Sequence, residues 1–105
     1  MKLLFVTSLK EYQKTVARIV EQAGIAVFSV SETIGFKDHH TANLLDNWFS
    51  SGGDQYDSIF LFSFTEEAKA EHALKLIQDH NAENETGFPI RAFIIPVDKS
   101  SYTIQ

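Results

Sequence analysis

The sequence has no cysteine, which excludes disulfides, thiolate metal sites and a cysteine nucleophile. It has no apolar run near the roughly 18 residues that cross a bilayer. The opening Met1-Lys2-Leu3-Leu4-Phe5-Val6 lacks the small-residue cleavage site of a secretory signal and reads as a strand. A cytoplasmic protein with no membrane insertion is expected. Basic residues are scarce: nine face fourteen acidic ones, a net charge of −5. A surface of that sign repels phosphate backbones, so no nucleic-acid partner is expected. Catalytic signatures are missing too. There is no Gly-x-Ser-x-Gly elbow, no His-Glu-x-x-His and no phosphate-binding P-loop. No nucleophile or base stands beside an evident partner, so an enzyme is not expected.

What the sequence does have is regular patterning over 105 residues, enough for a single domain spanning 1–105. Lys2 to Thr7 reads as a strand buried on both faces. Ser8-Leu9-Lys10-Glu11 matches a capping box. Tyr12, Val16, Ile19, Val20 and Ala23 then form one helical face, which Gly24 ends. Ile25 to Ile34 suits a strand with one solvated face. The second half repeats the order. Ser58 to Phe64 alternates Phe60, Phe62 and Phe64 on one side with Ile59, Leu61 and Ser63 on the other. Thr65 is the expected N-cap of a helix with a stripe of Ala70, Ala73, Leu74 and Ile77. Ile90 to Val97 is the last strand, and Pro96 suits an edge or a strand end.

Two strand–helix–strand units in series predict an α+β, ferredoxin-like βαββαβ fold, with a four-stranded antiparallel sheet and both helices on one face. Strands one, three and four are apolar on both sides. The face without helices therefore needs a cover, and a second subunit is the simplest one.

The stretch 35–57 reads as an insert loop between the halves. Leu44, Leu45, Trp48 and Phe49 share one short helical face, either a satellite packed on the sheet edge or a docking arm for a partner. Asp38, His39 and His40 are adjacent and offer imidazole and carboxylate to a metal ion, or else form a solvated polar loop.

Two segments resemble the nitrogen-regulatory PII superfamily. Ser31-Glu32-Thr33-Ile34-Gly35-Phe36 is similar to the strand end that opens that family's long T-loop. Thr86 to Asp98 is similar to its B-loop and last core strand, with Phe93, Pro96, Val97 and Asp98 in comparable places. The Gly-Asp-Gly-Lys phosphate cradle of the family is replaced by Thr86-Gly87 and, further on, Arg91; residues 37–55 carry no tyrosine for nucleotidylation. The resemblance implies a shortened, divergent PII-like protein: a non-enzymatic, homotrimeric regulatory protein binding a small ligand at subunit clefts and acting on a membrane transporter. It implies Gly35, Phe36, Lys37, Thr86, Gly87 and Arg91 as the ligand-binding set. The ligand itself stays open, as does any cofactor. A metal-binding or divalent-cation-tolerance protein using Asp38, His39 and His40 is the alternative, and a ligand-free oligomerisation module the third.

Overall fold

The computed structural model describes residues 1–37 and 54–101. Its elements run β1 (Lys2–Leu9), a 3₁₀ turn (Lys10–Tyr12), α1 (Gln13–Gln22), β2 (Ser29–Lys37), β3 (Asp54–Thr65), α2 (Glu67–Glu83) and β4 (Arg91–Pro96). The sheet order is β2-β3-β1-β4 and every neighbouring pair is antiparallel. This is the expected βαββαβ arrangement, with β1 and β3 central and β4 on an edge, where Pro96 is tolerated.

Period-two alternation sorts the sheet residues. Leu4, Val6, Ile59 and Leu61 face the helices and are fully buried. Leu4, Val6 and Leu61 meet Val16, Ile19, Val20 and Ala23 of α1 and its end, and Ala70, Ala73 and Ile77 of α2, in one core cluster. The alanines matter for distance, because their short side chains let α2 lie close on the sheet. Both helical stripes fall where the spacing predicts them. Gly24, at φ +88°, takes the left-handed position after α1, which costs glycine little. Its N–H donates to the Glu21 carbonyl at 2.9 Å. Asn81 near the end of α2 acts as a substitute strand. Its Nδ2 donates to the Ile90 carbonyl (2.7 Å) and its Oδ1 accepts from the Ile90 N–H (3.1 Å), fixing the entry to β4.

Four local expectations are corrected. The Ser8–Glu11 capping box does not form: β1 continues through Ser8 to Leu9, and Leu9 precedes the 3₁₀ turn with no side-chain cap. The Ser8 hydroxyl instead donates to the Leu9 carbonyl, and the Ser8 carbonyl accepts from the buried Ser58 hydroxyl, each at 3.0 Å. Thr65 ends β3, and Glu66 occupies the N-cap of α2 without a side-chain bond. Residues 25–28 are a connection rather than strand. Ile25 is buried there, and the Val27 carbonyl accepts from Ser63 Oγ at 2.6 Å, so the ladder starts only at Ser29. Finally, both ends of the presumed 35–57 loop are strand. β2 runs to Lys37 and β3 begins at Asp54, paired in register to Lys37.

The other face of the sheet carries Leu3 and Phe5 from β1, Phe60, Phe62 and Phe64 from β3, and Phe93 and Ile95 from β4. Phe5 stacks on Phe60 at 5.3 Å between centroids, and Phe60 and Phe62 stack at 6.1 Å. No described helix lies over them: Phe64 and Phe93 are each 51% exposed.

Candidate functional site

The register that builds the sheet also gathers residues at one of its ends. Thr7 pairs with Arg91 across β1 and β4, and Leu9 pairs with Ser58 across β1 and β3. The loop before β4 closes over this end. A cleft of about 410 Å³ results, lined by Thr7, Ser8, Leu9, Phe36, Tyr56, Ser58, Gly87, Phe88, Pro89 and Arg91. That volume is at the lower end of the range for small-molecule sites.

Of the six expected ligand residues, Phe36, Gly87 and Arg91 meet in this cleft. Thr86 does not line it. Its Oγ1 accepts the Phe88 N–H at 2.9 Å, a local turn that shapes the loop presenting Gly87 and Phe88. Gly35 lies behind the wall, in strand register with Tyr56. A Cβ at Gly35 would come within 2.2 Å of the Tyr56 ring, so the absence of a side chain there lets the ring lie flat across the strand. Lys37 is the last residue of β2. Asp38, His39 and His40, and the apolar set Leu44, Leu45, Trp48 and Phe49, lie outside the described residues. Among the described residues no group of three histidines and carboxylates is placed to hold a metal ion.

Seven lining residues were not expected from the sequence, among them Tyr56, Phe88 and Thr7. The Tyr56 and Phe88 rings meet at 5.0 Å with a 60° tilt, tying the start of β3 to the loop before β4. Phe88 sits inside the Thr86–Asp98 segment that carries the resemblance, so its neighbours were the available signal. Tyr56 could be found only through its register with Gly35.

The electrostatics are simple. Arg91 is exposed, and among the described residues it is the one charged residue of the lining and its side chain makes no hydrogen bond or ion pair. A guanidinium in that position offers a planar fork to an oxyanion. Thr7, Ser8, Ser58 and Tyr56 add hydroxyls, and among the described residues no carboxylate or imidazole lines the cleft. The donor set suits binding of an anion more than proton transfer. Next to it, a second hollow shares Leu9, Tyr56 and Phe88 and brings in Lys10, Glu11 and Asp57. Lys10 is already engaged: its Nζ is 2.6 Å from Glu32 Oε1 on β2. Hydrogen bonding to Glu32 and its negative charge hold the Lys10 pKa above the ordinary lysine value.

The fold defines the class: a ferredoxin-like α+β domain with one sheet face that no described helix covers and a cleft at the sheet's end. Among solved structures, it is similar to a DUF3240 family protein from Shewanella baltica OS155, at 12% identity, a TM-score of 0.64, and coverage of 98% of this chain and 96% of that one. It is also similar to CPII, a nitrogen regulatory PII-like protein from Thiomonas intermedia K12 bound to ADP, AMP and bicarbonate, at 13% identity, a TM-score of 0.62, and coverage of 94% and 93%. The fold is thus PII-like along nearly the whole chain, as the two quoted segments imply. No protein-family model matches the sequence, and no curated protein is a detectable relative of it. No helix among the described residues is long and apolar enough to cross a membrane.

Proposed function

We propose that this is a non-enzymatic PII-like regulatory protein, a cytoplasmic homotrimer that binds a small anionic ligand beside the subunit interface and passes its occupancy to a membrane transporter. One observation carries the reading. β4 presents Phe93 and Ile95 on the bare sheet face and, two residues before Phe93 on the same face, Arg91 at the cleft. A copy that covers the aromatics therefore sits next to the guanidinium, and ligand binding is linked to assembly. The PII-like fold supports the regulatory class, and the number three follows from the family resemblance. The anions held by CPII support an oxyanion as ligand. The transporter as target also follows from the resemblance.

Calorimetric titration of wild type and Arg91→Ala with bicarbonate, ADP and benzoate tests the site. Saturable binding of at least one anion is expected, weakened about tenfold or more by the substitution, the usual scale for a charge-assisted contact. Equal binding by both proteins, or no binding of any anion, would contradict the reading.

A further inference from the structure

The chemistry of the lining narrows the ligand class. A nucleoside polyphosphate brings several negative charges and needs several donors or cations to receive them. Among the described residues this cleft offers one cation, Arg91. Lys10, the cation of the adjoining hollow, is held by Glu32, and that hollow adds the carboxylates of Glu11 and Asp57. The whole chain carries −5. A second or third negative charge on a ligand would meet repulsion from the acidic hollow with no other cation in the lining among the described residues to offset it.

Beside the hydroxyls of Thr7, Ser8 and Ser58, the lining carries a flat apolar wall. Phe36 comes from β2 and is 65% exposed among the described residues. Tyr56 comes from β3, Phe88 and Pro89 from the loop before β4, and Leu9 from β1. The Tyr56 and Phe88 rings brace one another, and Gly35 lets Tyr56 settle flat on the strand behind them. Aromatic walls of this kind receive a ring or another planar body through stacking and burial.

We infer that the cleft binds a small planar monocarboxylate, an aromatic or similarly flat apolar acid, with its carboxylate on the Arg91 guanidinium and its body between Phe36, Tyr56 and Phe88. This rests on the anion-binding reading above and specifies its ligand. The bidentate geometry of guanidinium and carboxylate supplies orientation. The aromatic wall supplies most of the contact area.

The test compares benzoate, benzamide and ADP on the full-length protein, by calorimetry and by proton NMR of the aromatic side chains. Benzoate is expected to bind with one site per chain and to shift the Tyr56 and Phe88 ring resonances. Benzamide, which keeps the ring and loses the charge, should bind at least about tenfold more weakly. Arg91→Lys, which keeps the charge but not the planar fork, should weaken benzoate several-fold, and Phe36→Ala should do so as well. Both positions are exposed, and circular dichroism checks that each variant is folded. Arg91-dependent binding of ADP without binding of benzoate overturns this inference and leaves the regulatory reading standing. Equal binding of benzoate and benzamide overturns it too, by removing the carboxylate from the recognition. Failure of every anion overturns both.

Discussion

The two faces of one sheet are built from the same strands, residue by residue in alternation, and they end in opposite conditions. On the helix side, Leu4 and Leu61 are 0% exposed and Ile59 is 1% exposed. On the other side, the next residues along the same strands form a row in which Phe5, Phe60 and Phe62 stack and Phe64 meets Phe62 edge-on, and all four keep part of their side chains exposed. Fully burying one such side chain is worth about 1.5–3 kcal/mol. The chain collects that stabilisation on one face and leaves it partly uncollected on the other. An apolar face of that extent, covered by no described helix, has the character of an interaction surface. The first face holds the domain together. In the proposed reading the second holds copies together, and the cleft with Arg91 lies at its margin.

Substitutions on the two faces should therefore fail in different ways. The largest loss is expected from Leu61→Ala, which empties a fully buried position between the helices. Urea unfolding should show a loss of about 2–5 kcal/mol, at every protein concentration alike. Phe93→Glu, on the bare face, should cost about 2 kcal/mol of assembly free energy per subunit, read as a smaller particle mass and a Tm that falls on dilution. If Phe93→Glu destabilised the protein independently of concentration, the two faces would not differ in kind. A smaller effect is expected for Gly35→Ala. The added methyl would collide with the Tyr56 ring, and overpacking of that sort costs about 1–3 kcal/mol, here toward the low end because the ring can tilt. Placing the same change in a Tyr56→Ala background should remove most of the penalty, since the two residues are in contact and their effects do not add.

The smallest effect belongs to the exposed ion pair that ties the turn after β1 to the edge strand β2. Lys10 has its pKa raised by Glu32, so its contribution is complete below the ordinary lysine value of 10.5 and fades as pH climbs through the higher folded-state value. Lys10→Met should accordingly differ from wild type by a small constant amount from neutral pH to about pH 9, and the difference should shrink above that. A difference that grows with rising pH would reverse the assignment.

Much of the fold could be read from the sequence because it rests on periodicity. The alternation from Ser58 to Phe64 and the helical stripes through Val16 and Ala70 are local patterns, and the structure keeps them. The bare apolar face was legible for the same reason, as two-sided strands with helices enough for one side. The misreadings arise where a long-range contact overrides a local pattern. Ser8 has the spacing of a capping residue, yet Ser58, fifty positions later, holds it in the sheet. Val27 has a strand former's side chain, yet its carbonyl is held by Ser63 before the ladder begins. The site was half legible. Arg91, Gly87 and Phe36 came with the family resemblance, whereas Tyr56 enters through register with Gly35 across two strands, a pairing that no spacing within either segment announces.

The central claim is that the aromatic face is covered by further copies of this chain. Multi-angle light scattering on the purified protein at micromolar concentration tests it most directly. The account predicts a mass three times the 11.9 kDa of one chain, dropping toward a single chain in Phe93→Glu. A wild-type mass of one chain, unchanged as the protein is concentrated, would contradict it.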